Sequence, residues 1–433
     1  MSRIQVGDFQ YFNEEFFAEE IALSKIAAQV DTPFYCYSSA ALKRNFKNFQ
    51  SALSGLDAKI FYAVKANSNI GILATLSQLG AGADIVSGGE LERALSAGFP
   101  ADSIIFSGIG KTKGELQKAL FSGIKQFNIE SQPELIILDK IATEMNVRAP
   151  IAIRVNPNVD AGTHFKITTG KSENKFGIDI ENARDLYAEA SKLKGIFVKG
   201  VAVHIGSQLT ELTPHRNAYM KVKELVHLLR SDGHSIDIVD LGGGLGITYE
   251  RETPPSPIEY GTMVKEVMGD LECFIGFEPG RVIVGNAGII VARVIYVKED
   301  NNKRFLIIDA AMNDLLRPAL YEAFHNIIPI KKPNLKAKYF NYDIVGPICE
   351  TSDTFGHDRI LPKMERNDLV AVCDTGAYGA VMASTYNSRP LVSEIMVQAN
   401  QYAVIATALS TTNMMSREAV PPWIESSSSK IKD

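Results

Sequence analysis

A lysine closes the apolar run FYAVKANSN (61–69), at the end of what reads as a buried strand. Burying an ammonium costs several kcal/mol unless a partner or a covalent bond compensates. Further along, HIGSQ (204–208), DLGGGLGI (240–247) and FEPGR (277–281) supply a histidine, a glycine run, a carboxylate and a guanidinium, each beside another apolar run. Gly242, Gly243 and Gly244, with Gly246 close behind, can turn backbone N–H groups toward an anion such as a phosphate without side-chain clash. A lysine facing a phosphate site has an evident use, which is to condense with an aldehyde cofactor that carries a phosphate, namely pyridoxal phosphate. Desolvation and nearby cations are expected to lower the pKa of Lys65 and free its neutral amine. Glu278 then pairs with the pyridine nitrogen and His204 stacks on the ring face. Taken singly, these residues also read as a snorkelling lysine, turn glycines, a turn glutamate and a core histidine. No second His, Cys or carboxylate stands at metal-ligand spacing around His204, so no metal is expected.

The elements that must position these residues favour the chemical reading. Eight short β-rich runs alternate with helical patterns: KIFYAV (59–64), GADIVS (82–87), SIIFSG (103–108), KQFNIE (125–130), PIAIRVN (150–156), VKGVAVHIG (198–206), DIVDLGG (237–243) and ECFIGFEP (272–279). Between them, Ile70, Leu73, Leu76 and Leu79 recur at helical spacing, and PELIILDKIATEMN (133–146) opens with a first-turn proline. This is an α/β pattern that predicts a (β/α)8 TIM-like barrel over 32–280, with its site at the C-terminal strand ends. Lys65, Ser87-Gly88-Gly89-Glu90, Arg154-Val155-Asn156, His204-Ile205-Gly206-Ser207, the 242–246 glycines and Glu278-Pro279-Gly280-Arg281 all occupy such ends. The long segment 159–178, rich in Gly, Thr, Asn and Lys, is expected on the rim. After residue 280 the texture changes to strand-like runs with few helices, which predicts a second, mainly antiparallel β-domain over 281–433, joined by residues 1–31. The tail SSSSKIKD reads as disordered.

Composition narrows the partners. The 433 residues are 45% hydrophobic and 22% charged with a net charge of −5, the profile of a globular protein with no basic stripe for nucleic acid or anionic lipid. No long apolar span or leader is read, so a cytoplasmic enzyme acting on a small molecule is expected, without nucleic acid or membrane. Cys36, Cys273, Cys349 and Cys373 are widely spaced and form no C-x-x-C pair, which excludes a zinc knuckle or disulfide scaffold.

YAVKAN (62–67), HIGSQ, DLGGGLGI, FEPGR, GPICETSD (346–353) and GAYGAVMASTYNSRP (376–390) together resemble the fold-type III pyridoxal-phosphate decarboxylases, and within them the diaminopimelate group. The resemblance spans nearly the whole chain in order. It implies an alanine-racemase-like barrel with a C-terminal β-domain, and a homodimer with sites at the subunit interface. Lys65 would hold the cofactor, with Glu278 at its ring nitrogen and His204 on the ring. Ser207, Gly242, Gly243, Gly244, Gly246, Gly280 and Tyr378 would surround the phosphate, with Pro279 and Arg281 in the same cofactor site. Cys349 and Glu350 would come from the neighbouring subunit, the cysteine as the acid that protonates the carbanion after carbon dioxide leaves.

NDLLRPALYEAFH (313–325) directs the substrate reading, because in the diaminopimelate group Arg317 and Tyr321, with Arg281, would hold the carboxylate at the substrate's far end. Glu350 and Tyr378 complete the substrate contacts that the resemblance implies, and TGKSENKFGI (169–178) would cover the substrate. A guanidinium suits a carboxylate and repels the terminal ammonium of ornithine. The implied reaction is decarboxylation of meso-2,6-diaminopimelate to L-lysine, the last step of lysine biosynthesis. Decarboxylases of ornithine, arginine or carboxynorspermidine share most of these motifs and form the alternative. A racemase would need a tyrosine base from the second domain, and the GPICET segment argues against it; the non-enzymatic cofactor-binding proteins of this barrel lack a second domain.

Overall fold

The computed structural model describes residues 8–160, 175–300 and 303–424. Most of the 159–178 segment and the SSSSKIKD tail lie outside the described residues. The eight expected runs form eight parallel strands: Ala58–Ala63, Gly82–Ile85, Ile104–Phe106, Gln126–Ile129, Ala149–Asn156, Ile196–Val203, Ile238–Asp240 and Phe274–Phe277. Each pairs with the next, and the eighth returns to the first through Ile275 opposite Ala58, so the sheet closes into a barrel. Closure aims all eight C-terminal ends at one mouth.

Helices follow the strands wherever the 3.6-residue pattern placed them. Lys113–Ser122 begins with a reciprocal Thr112–Glu115 capping box, Pro257–Met268 with one from Ser256 and Glu259, and Gln132–Glu144 carries Pro133 in its first turn. The preceding helix Ser39–Ala52 packs on Pro257–Met268 and so closes the outer ring between the last barrel unit and the first. None of the described helices is long and apolar enough to cross a membrane.

The second domain is a sheet of mainly antiparallel strands, whose long central member is Gly288–Glu299. Phe34–Ser38, which a boundary at residue 32 assigns to the barrel, runs in this sheet instead. It pairs antiparallel with Gly288–Val291 and parallel with Ser393–Val397. Five consecutive buried residues, FYCYS, explain its place, because a strand covered on both faces is hydrophobic throughout and shows no alternation. Phe9 and Phe16 of the N-terminal strands share a core with Phe34, Cys36, Ile289 and Ile395. Cys36 and Cys373 are buried, Cys273 is half-buried and Cys349 is exposed; all four are free thiols.

Candidate active site

A cavity of about 570 Å³ opens at the barrel mouth, lined by Lys65, Phe176, His204, Ser207, Gln208, Tyr249, Arg281, Arg317, Tyr321, Phe324 and Tyr378 among others. The first strand ends in a single 3-10 turn, Val64–Ala66, which carries Lys65 to this mouth. Its ammonium donates to Asp84 Oδ2 at 2.6 Å. Burial opposes the charge, yet Asp84, Glu278 and Tyr378 outweigh it and push the lysine pKa up from its ordinary value. The expected depression by neighbouring cations is therefore overturned: carboxylates surround this lysine, and without a ligand it is an ammonium. The other carboxylate oxygen, Asp84 Oδ1, is buried and has no hydrogen-bond partner among the described residues.

Below the mouth lies a polar layer inside the barrel. Asn128 donates to Asp240 Oδ2 at 3.0 Å, to Ser107 Oγ at 3.1 Å and to Glu278 Oε1 at 3.3 Å, and it accepts from Gln126 Nε2 at 2.7 Å. Asp240 and Glu278 are themselves hydrogen-bonded; the pKa of Asp240 is raised and that of Glu278 is raised well above its ordinary value. Burial is the main cause; for Glu278 the Asp240 and Asp84 charges add to it and Lys65 opposes. Two buried carboxyls in contact cannot both ionise cheaply, so a proton resides between them.

His204 accepts at Nδ1 from the Gly243 N–H at 3.1 Å, which fixes the hydrogen on Nε2. Burial, then Arg154 and Lys65, hold its pKa far down, and the imidazole is neutral. The glycine loop differs from an open nest of three N–H groups. The Gly242 N–H donates to Asp240 Oδ1 at 3.0 Å and that of Gly243 to His204, so two of the three are spent within the protein. Glycine is required here for close approach: a Cβ on Gly243 would sit 2.3 Å from the Glu278 carbonyl oxygen, and Gly242 has φ 65°. The loop thus braces the strand end that carries Glu278, whose N–H donates to the Gly242 carbonyl at 2.7 Å.

Arg281 and Arg317 share the cavity wall, and both are buried. Arg281 donates to Ser207 Oγ at 3.1 Å and to Tyr249 Oη at 2.7 Å, and its guanidinium lies 4.8 Å from the Tyr378 ring centre. Tyr378 has φ 55°, a left-handed conformation that strains a bulky residue and is retained where surrounding structure enforces it. Arg154 donates to Glu130 Oε1 at 2.7 Å and stacks 5.0 Å from the Phe176 ring, fixing the end of the rim segment. Of the residues the motifs singled out, Lys65, His204, Ser207, Arg281, Arg317, Tyr321 and Tyr378 line the cavity. Glu278, Pro279 and Gly280 lie buried at the adjoining strand end, with the 242–246 glycines beside them. Cys349 and Glu350 are exposed on the β-domain and are absent from the lining, and the Tyr386 hydroxyl donates to Glu350 at 2.5 Å. Asp84, Asn128, Tyr249 and His325 join the site or its support without having been singled out.

Residues 39–285 match the family described as pyridoxal-dependent decarboxylase, pyridoxal binding domain. A curated diaminopimelate decarboxylase of Zymomonas mobilis is 44% identical over 421 residues, covering 96% of this chain and 99% of its own length. The chain belongs to the diaminopimelate decarboxylase family. Another member, from Vibrio cholerae, is 46% identical over 95% of this chain and 99% of its own. Among solved structures, the M. jannaschii enzyme in co-complex with L-lysine superimposes with a TM-score of 0.91 at 36% identity, covering 96% of this chain and 98% of that one. The Helicobacter pylori enzyme complexed with L-lysine gives 0.88 at 40% identity, covering 91% of this chain and 98% of that one. The family thus shares both the barrel and the β-domain with this chain.

Proposed function

We infer that this chain is a pyridoxal-phosphate-dependent decarboxylase that converts meso-2,6-diaminopimelate to L-lysine and carbon dioxide, closing lysine biosynthesis. The observation that carries the reading is one cavity walled by a lysine and by two buried arginines that form no ion pair among the described residues. An anchor for an aldehyde and a receptor for a carboxylate therefore share one space. The surroundings of Lys65 fit the cofactor, because Asp84 and Glu278 act on one ammonium with Asp240 against Glu278, and Asp84 Oδ1 lacks a hydrogen-bond partner among the described residues. A second cationic group, such as a protonated ring nitrogen, would relieve that crowding.

Lys65 would hold the cofactor aldehyde, Glu278 its ring nitrogen and His204 its ring face. Ser207, the 242–246 glycines, Gly280 and Tyr378 would enclose the phosphate, with Pro279 and Arg281 adjoining. When bound, the cofactor supplies an electron sink for the charge left by the departing carboxylate. Asp84 holds the Lys65 ammonium and can accept its proton when the amine is called on to react. Glu278 keeps its own proton unless a cation faces it, and neutral His204 offers a ring face without adding charge. Arg317, Arg281 and Tyr321 bind the carboxylate that the reaction retains. The far ammonium of ornithine would meet the same two guanidiniums and be repelled, so that alternative finds no support.

Protonation at the former carboxylate carbon falls to Cys349, supplied with Glu350 by a second copy in a homodimer. The exposure of both on the β-domain, outside this chain's own cavity lining, supports that assignment. Spectra of the purified protein test the reading: a lysine-bound cofactor band, absent in Lys65→Ala, with L-lysine and carbon dioxide formed on adding meso-diaminopimelate. Turnover of ornithine or arginine without turnover of meso-diaminopimelate would sink the assignment. Mixing Lys65→Ala with Cys349→Ala subunits should restore activity that neither has alone, and no recovery would refute the shared site.

A further inference from the structure

The arginine that faces the cavity is itself held by residues that the reaction leaves without a role. His325 is fully buried, with Nδ1 at 2.8 Å from the Cys373 carbonyl oxygen and Nε2 at 2.8 Å from Arg317 Nη1. A carbonyl only accepts and a guanidinium only donates. One form of the ring makes both contacts: neutral, with its hydrogen on Nδ1 and its lone pair on Nε2. Burial, foremost, and then Arg317 push the His325 pKa down to about 3, so this form persists across the working range.

Tyr249 completes the frame. Its hydroxyl accepts from Arg281 at 2.7 Å, its ring centre lies 4.5 Å from the Arg317 guanidinium, and it meets His325 edge-on with ring centres 5.3 Å apart. Among the described residues no carboxylate forms an ion pair with Arg317. Asp374 acts on it electrostatically, but burial pushes the Asp374 pKa up to about 7 and no hydrogen bond joins the two among the described residues.

We propose that His325 is a positioning residue for substrate selection: a neutral acceptor that aims the Arg317 guanidinium into the cavity while leaving its charge for a carboxylate of the substrate. The proposal rests on the reading of meso-diaminopimelate as substrate. A carboxylate in place of the imidazole would fix the arginine as firmly and would cancel the charge that has to recognise the ligand. A neutral ring holds one N–H of the guanidinium and leaves the others to donate.

Equilibrium titration of the holoenzyme by calorimetry separates these roles, with two probes. L-Lysine keeps the far amino-acid group of the substrate; cadaverine is the same chain without that carboxylate. His325→Gln places a neutral acceptor near the Nε2 position and His325→Glu an anion of the same size. The glutamine variant should bind L-lysine within about tenfold of the wild type, and the glutamate variant at least about tenfold more weakly again, as expected for a charge-assisted contact. Cadaverine binding should not weaken in either, because it has no carboxylate for Arg317 and the glutamate would only relieve the repulsion of its far ammonium, and the loss of kcat/KM in His325→Glu should fall mainly on KM. Equal L-lysine affinity in the two variants would overturn the proposal, since a purely space-filling residue would not distinguish them. His325→Leu, which introduces no buried charge, gives a second reading: weaker L-lysine with unchanged cadaverine supports the proposal, and equal weakening of both refutes it. A wild-type protein that neither binds L-lysine nor turns over meso-diaminopimelate overturns the substrate reading itself, and the positioning role falls with it.

Discussion

Asn128 occupies the middle of the polar layer, and changing it to aspartate isolates what that layer does. Its amide nitrogen faces Asp240 and Glu278 at 3.0 and 3.3 Å, and its oxygen takes a hydrogen bond from Gln126. Asn128→Asp keeps the shape, removes both donors and sets a third carboxyl against two that already share a proton. The layer then survives only by binding another proton. If the introduced carboxyl keeps that proton to pH 7 in the fold and has an ordinary pKa of about 3.9 when unfolded, the displacement of about three units costs about 4 kcal/mol at neutral pH. Because the folded pKa is the higher one, the folded chain binds more protons in this window. The variant is therefore closest to wild type below about pH 4 and loses stability as pH rises toward 7. Asn128→Leu is the control: it loses hydrogen bonds worth about 1 kcal/mol each but adds no carboxyl, so its deficit should change with pH much less, only through the lost donor to Asp240. Urea unfolding of all three proteins between pH 4 and 8, read as differences from wild type, measures this. A deficit for Asn128→Asp as flat as that of the leucine variant would refute the account of the layer as a set of carboxyls short of protons.

Gly243→Ala places a Cβ 2.3 Å from the Glu278 carbonyl oxygen, so it should displace the strand end beneath the cofactor. Cofactor affinity, read by absorbance after dialysis, should fall by about tenfold or more, in line with the cost of overpacking a rigid contact. Arg317→Lys keeps the charge but loses the planar fork and the contact with His325, so KM for meso-diaminopimelate should rise by about tenfold to a hundredfold with kcat much less affected. Asp374, whose pKa burial raises to about 7 against the pull of Arg317, stabilises the fold as its neutral acid below its unfolded pKa, and that contribution is lost as pH rises through 7. Asp374→Asn should accordingly lose less stability than wild type between pH 4 and 8 in thermal melts, and parallel profiles would refute the sign.

The strand ends were legible because a closed parallel barrel gathers residues that are far apart in sequence; knowing that the runs at 59–64, 198–206 and 272–279 belong to one closed ring suffices to bring Lys65, His204 and Glu278 to one mouth. Asp84 and Asn128 lie within strands, and inspection confined to strand ends passes over them. Their signal was available all the same, as polar side chains inside the apolar runs GADI and QFNI, which a barrel interior tolerates only when they are hydrogen-bonded or functional. Ignorance of Asp84 also reversed the expectation for Lys65, since the sign of a pKa shift depends on which charge lies nearest. Tyr249 and His325 meet across the domain boundary, from a loop and from the β-domain, and no local period in the sequence announces such a contact. Phe34–Ser38 was misassigned for a related reason: a strand records that it is buried but not which sheet buries it.

That strand gives the chain an order of assembly. Phe34–Ser38 leaves the ribosome early, while its partners at Gly288–Val291 and Ser393–Val397 come roughly 250 and 350 residues later. At translation speeds of about 5–20 residues per second, its two hydrogen-bonding edges wait about 10–50 and about 20–70 seconds for their neighbours. The barrel, whose eighth strand ends at Phe277, can close at about the time Gly288–Val291 is made and well before Ser393–Val397 follows. The nascent protein therefore carries, for a time, a finished barrel tethered to an apolar strand with one edge still open, the state in which holdase chaperones and premature strand pairing compete for it.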